Sequence, residues 1–147
     1  VLDREARGHG VAWTALRNLD EPAYAAKLRE SAIYLATTSQ EGLHISVLEA
    51  MACGCLVVGH TGIGGAEYMV GDGPQQNCIL AENGNLLALG MALEEALGRL
   101  AATPDTLTPV IDAARATATR FQDPAAERAA LVAFFSSSPE SASPERG

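Results

Sequence analysis

Four short apolar runs, at residues 10–13, 32–37, 55–59 and 78–81, are continuous rather than alternating. A strand that is apolar at every position has both faces covered, which is the condition of a parallel sheet held between layers of helix. Segments with helical patterning separate the runs, at residues 22–31, 43–53 and, more briefly, 66–70. Strand–helix alternation of this kind builds an α/β fold with right-handed crossovers.

Three further helices are expected after the last strand. Leu86, Leu87, Leu89, Leu93, Leu97 and Leu100 form an apolar stripe across residues 85–101, read as packing. Pro104 stops that helix, and residues 107–121 and 124–135 make two more. Pro124 suits a first-turn position, with Asp123 as the N-cap. Residues 136–147, rich in Ser, Pro and Glu, read as a disordered polar tail, leaving residues 1–135 as the folded domain. Doubly wound sheets usually have about six strands, with a Gly-rich turn after the first. Here four strands are expected and no Gly-x-Gly-x-x-Gly precedes them. The sheet therefore reads as the second half of a larger one. The first residue is Val1 rather than Met, which fits an excised domain or fragment.

Composition narrows the partners. The net charge of −8 argues against nucleic acid and anionic membrane surfaces. No Lys or Arg occurs between Arg29 and Arg99, so a phosphate bound by that segment depends there on backbone N–H groups and a helix dipole. Cys53, Cys55 and Cys78 have neither framework nor metal-pair spacing, and read as small buried hydrophobes in a reducing compartment, the cytoplasm. No His/Cys/Asp cluster has metal-ligand spacing. No apolar run approaches the roughly 20 residues of a membrane span, and no segment reads as a signal peptide.

The chemistry concentrates between Ser39 and Gly54. Glu41 and Glu49 are separated by seven residues, the first in a loop beside Gly42 and the second on a helix. The loop follows the carboxyl end of the strand at residues 32–37, where open α/β sheets bind ligands. With a helix beginning near Leu43, the N–H groups of Leu43, His44 and Ile45 are expected to be free and to present partial positive charge. Ile45, Leu48 and Ala52 are expected to face the core, with Ser46, Glu49 and Cys53 on a neighbouring face. Carboxylates accept hydrogen bonds from sugar hydroxyls, and a helix N-terminus accepts phosphate. Taken alone, the pair reads rather as a first-turn helix charge and a solvated surface residue.

The neighbouring residues decide between these readings. Glu41-Gly42-Leu43, followed by Leu48-Glu49-Ala50-Met51-Ala52-Cys53-Gly54-Cys55-Leu56-Val57-Val58, resembles the signature of retaining GT-B-fold glycosyltransferases, family 4 above all. Gly64-Gly65-Ala66-Glu67 is similar to the family's Gly-Gly-x-x-Glu, and Asn77-Cys78-Ile79-Leu80 to its Asn-Gly-apolar strand. The resemblance runs from about Val11 to Phe135. It implies a Rossmann-like parallel sheet with flanking helices, the incomplete C-terminal, donor-binding half of a GT-B enzyme. It further implies that a hexosyl group moves from a UDP-, GDP- or ADP-sugar to a saccharide or glycoconjugate acceptor with retention. Glu49 would hold the ribose hydroxyls, and Glu41, the catalytic candidate, would lie near the transferred sugar. Gly42, Leu43 and His44 would complete the donor site, and Gly64 and Gly65 could approach phosphate or merely form a tight turn. No metal or other cofactor is implied.

Some parts of the pattern are absent or altered. The family's Arg/Lys pair and its acceptor-binding N-terminal domain would lie upstream of Val1; Arg4 and Arg7 read as part of a helix before the first strand. Leu56 replaces the usual proline, and Glu67 comes one residue early, with residues 60–63 offering a compensating insertion. His60 reads as a hydrogen-bonded loop histidine, His9 as exposed, and Trp13 as a core residue rather than a partner of a nucleotide base. The alternative to a transferase half is a non-catalytic binding module, paired as a homodimer through its exposed sheet edge.

Overall fold

The computed structural model describes residues 10–121 and 123–136. Helix α1, Glu21–Arg29, leads into strand β1, Ile33–Ala36, and helix α2, Ile45–Cys53, leads into β2, Leu56–Gly59. A 3-10 turn at Gly64–Glu67 precedes β3, Ile79–Leu80. Helix α3, Leu86–Ala102, a 3-10 turn at Pro104–Leu107, α4, Thr108–Phe121, and α5, Pro124–Ser136, complete the order. The strands are parallel and ordered β1-β2-β3, with Ile33 opposite Leu56 and Val58 opposite Ile79. The α/β architecture follows the alternation read in the sequence.

The pleat sorts side chains between two cores. Val57 of β2 packs with Leu28, Val47, Ala50, Met51 and Tyr68 on one face. Its neighbours Leu56 and Val58 pack with Ile79, Leu89, Leu93 and Leu97 on the other. Successive side chains of a strand point to opposite faces, so an unbroken apolar run serves both layers. Helix starts follow ordinary capping chemistry. The Asp20 carboxylate accepts the Ala23 N–H at 3.0 Å, and the Asn85 side chain accepts the Ala88 N–H at 3.0 Å. Asp123 likewise accepts the Ala125 N–H at 2.9 Å, just before α5.

Four expectations need correction. Residues 10–13 form no strand: Gly10 lies in a turn at φ +66° and the following residues are irregular. A strand exists through its ladder, and among the described residues no strand pairs with this run or with the outer edge of β1. The run instead borders a cavity of about 490 Å³ lined by Val11, Trp13, Leu28, Ile33, Leu93 and Leu97, among others. Trp13 is 44% exposed there and is not a core residue. Helix α2 begins two residues later than read, and its core face is Val47, Leu48, Ala50 and Met51, while Ile45 and Ala52 are exposed. In α3 the buried stripe is Leu89, Leu93 and Leu97 with Ala92 and Ala96, whereas Leu86, Leu87 and Leu100 are exposed.

Ser136 ends α5 as a helical residue. The expectations for residues 137–147, and for Arg4, Arg7 and His9, lie outside the described residues.

Candidate functional site

Two loops meet at the carboxyl ends of β1 and β2. The Glu41 carbonyl accepts the Ile63 N–H at 2.9 Å. Gly64 lies flat against Gly42, so that a Cβ on Gly64 would collide with the Gly42 carbonyl oxygen. Gly62, at φ +61°, covers the next residue in the same way: a Cβ there would lie 2.6 Å from His44 Nε2. Only glycine fits at either position, the first for space and the second for both space and conformation.

Asn83, which the sequence reading passed over, holds the second loop. Its Oδ1 accepts the Gly62 N–H at 3.2 Å, and its Nδ2 donates to the Gly62 carbonyl at 2.9 Å and to Thr61 Oγ1 at 3.1 Å. The signal available was the Asn83-Gly84 pair, a turn dipeptide whose Gly84 sits at φ +76°.

His44 is the N-cap of α2, but its side chain makes no capping bond. The ring is 2% exposed, and Nε2 has no hydrogen-bond partner. It lies 3.6 Å from Glu41 Oε2, on a side chain that is 44% exposed. The His44 carbonyl accepts the Tyr68 hydroxyl at 2.9 Å together with the Val47 and Leu48 N–H groups. Of the three N–H groups read as free, that of Ile45 is bonded to the Leu43 carbonyl at 2.9 Å. Among the described residues, those of Leu43 and His44 have no acceptor. Leu43 itself is 49% exposed.

The two carboxylates have different surroundings. Burial and then Glu41 push the Tyr68 phenol up to about 12. Burial, then Tyr34 and Glu49, push Tyr24 up to about 12. Glu41 thus shares the Tyr68–His44 side of α2, and the exposed Glu49 the side toward α1. Glu41, Gly42, His44 and Gly64 come together, while Glu49 stands apart along the helix. Gly65 is buried against Met69, and its carbonyl accepts the Tyr68 and Met69 N–H groups at 3.1 and 2.8 Å. The glycine pair opens the 3-10 turn Gly64–Glu67, braced on the Glu41 loop.

His60 is 1% exposed with Nδ1 3.4 Å from the Ala81 carbonyl, a bonded histidine beneath the strand ends. Burial raises the thiols of Cys55 and Cys78 to about 11 and 12, which makes them poor nucleophiles. All three cysteines are free. Among the described residues no three His, Cys, Asp or Glu side chains converge to hold a metal, and no helix is long and apolar enough to cross a membrane.

A family model described as glycosyl transferases group 1 matches residues 2–99. The match covers both site loops and ends within α3, short of the Phe135 to which the resemblance was read. Comparison with curated proteins and with solved structures returned no match.

Proposed function

Since the chain belongs to the group 1 glycosyl transferases, we propose that its two interlocked loops form the donor half of a site for a nucleotide-diphosphate sugar. The observation that carries this reading is the pair of unbonded N–H groups of Leu43 and His44, at the α2 N-terminus beside the half-exposed Glu41 carboxylate. A helix N-terminus with free donors favours an anion, here the diphosphate. Glu49, on the far side of the helix start, takes the ribose hydroxyls, and Glu41 the transferred hexose. Transfer proceeds with retention to a saccharide or glycoconjugate acceptor, in the manner of family 4 enzymes. The reaction uses no bound metal, and the protein works in the cytoplasm.

No Lys or Arg lies between Arg29 and Arg99, so these residues meet the diphosphate with dipoles alone. The remaining charge compensation comes from cationic side chains outside residues 30–98. By this reading residues 30–98 alone bind donor weakly.

Titration of UDP-, GDP- and ADP-sugars into ¹⁵N-labelled protein tests the reading. Amides from Leu43 to Glu49 should shift with one nucleotide family and respond far less in Glu49→Ala. If no nucleotide moves them, donor binding by this chain is excluded.

Among the described residues no strand pairs with the outer edge of β1, which favours a second reading, a non-catalytic module that pairs through that edge with another copy. A dimeric mass in solution without any nucleotide response would support it.

A further inference from the structure

His44 has an unusual combination of burial and incomplete bonding. A ring nitrogen that leaves water without gaining a partner is costly, and an apolar side chain would suit a dry position better. Three contacts fix the ring where it is. Tyr68 holds the His44 carbonyl at 2.9 Å. Gly62 closes over Nε2, with room for no more than a hydrogen at its Cα, and Asn83 bonds both main-chain groups of Gly62. These contacts bar a ligand atom from approaching Nε2 from that side.

The neighbour that faces Nε2 is Glu41 Oε2, 3.6 Å away. That separation is a few tenths of an ångström beyond hydrogen-bond range. The Glu41 side chain is partly exposed, so a small rotation closes the gap. The Tyr68 phenol, the other ionisable group beside this carboxylate, stays protonated to about 12 and spends its proton on the His44 carbonyl. It therefore leaves the carboxylate to the imidazole.

We propose that His44 is a positioning residue: its Nε2–H holds the Glu41 carboxylate at the rim of the site and sets its direction, while its ring never touches the donor. The proposal rests on the donor-site reading of Glu41. A neutral imidazole suffices, with Nε2 as donor and the carboxylate as acceptor. The small rotation of Glu41 gives the buried nitrogen its missing partner with or without donor bound.

Two measurements on the full chain separate this proposal from the reading beneath it. The first is ¹⁵N NMR of the histidine rings without any ligand. Glu41→Ala, an exposed replacement, should move the His44 ring nitrogens, and Glu49→Ala should not. Unmoved His44 resonances in Glu41→Ala overturn the proposal. The second compares affinities for UDP-glucose and UDP, and for GDP-mannose and GDP. His44→Leu should lower sugar-nucleotide affinity about tenfold more than nucleotide affinity, the effect of losing one hydrogen bond to a charged group. His44→Gln, whose amide can reach the same carboxylate, should restore most of that difference. Equal losses in His44→Leu and His44→Gln overturn the proposal. If neither nucleotide family binds wild type while Glu41→Ala still moves the ring, the donor reading fails and the His44–Glu41 pairing stands.

Discussion

The Tyr68 hydroxyl donates a 2.9 Å hydrogen bond to the main-chain carbonyl of His44, and so ties the turn after β2 to the N-cap of α2. Tyr68→Phe removes that bond and keeps the ring, including its tilted packing on Phe121 with centroids 5.1 Å apart. The carbonyl still accepts the Val47 and Leu48 N–H groups, so it is not left bare. The expected loss is about 1 kcal/mol, read as a lower urea midpoint at unchanged slope. A changed slope would instead mean that the two loops had come apart.

Alkaline pH should destabilise the fold through its buried thiols and phenols. Tyr24 and Tyr68 are raised from 10.0 to about 12, Cys78 from 9.0 to about 12 and Cys55 from 9.0 to about 11, burial being the first cause for each. Each group holds its proton more tightly folded than unfolded. Their contribution is therefore complete below pH 9 and is lost as pH rises toward 12. Urea midpoints of wild type and Cys78→Val, measured from pH 8 to 11, should converge as pH rises. Parallel curves would show that Cys78 carries none of the effect.

Gly64→Ala forces the Glu41 and Gly62 loops apart, because the obstacle is the rigid Gly42 main chain rather than a movable side chain. Overpacking of this kind costs about 1–3 kcal/mol, and loss of the Leu43–Glu49 nucleotide response should accompany it. Gly98→Ala is the counterpart. Gly98 lies inside α3, exposed, with nothing within 4 Å of an added Cβ. Alanine there should stabilise by about 0.5–1 kcal/mol. Thermal melts of the two variants should move in opposite directions.

Asn77→Asp should be more damaging than its size suggests. The buried amide donates to the Tyr68 carbonyl at 2.7 Å and to Thr117 Oγ1 at 3.0 Å, and accepts the Val70 N–H at 2.8 Å. Thr117 gives its own proton to the Ala113 carbonyl at 2.9 Å. An aspartate would thus face two acceptors with no proton to offer. A loss of about 3 kcal/mol is expected in chemical denaturation near pH 7, and a smaller one at pH 4, where the acid regains one donor. A pH-independent loss would show that the charge is not what destabilises.

What the chain reveals locally, and what it hides, follows from the range of the forces involved. Strand β2 could be read because Leu56–Gly59 is apolar throughout and buried on both faces. Residues 10–13 carry the same pattern, yet a pattern cannot supply a neighbour, and without one they run irregularly beside the cavity. The phase of α2 was misread because the helix entrance is set from outside. The Ile63–Glu41 bond and the buried His44 ring delay its start, and the core-facing set moves to Val47, Leu48, Ala50 and Met51. The Tyr68–His44 and Asn83–Gly62 bonds span 24 and 21 residues, beyond any local periodicity. Glu41, Gly42 and Gly64 were recognisable as a group through their motif, but the motif did not show that Gly64 rests on Gly42.

Asn83 lies past the end of β3 and still sets the shape of a loop that begins after β2. Anyone grafting this site onto a related scaffold, or shuffling it among homologues, would naturally cut at the strand ends and carry residues 37–67 as a cassette. Such a graft would leave its clasp behind. The transferable unit extends through Asn83, and chimeras that break between Leu80 and Asn83 should keep their strands while losing the fit between their loops.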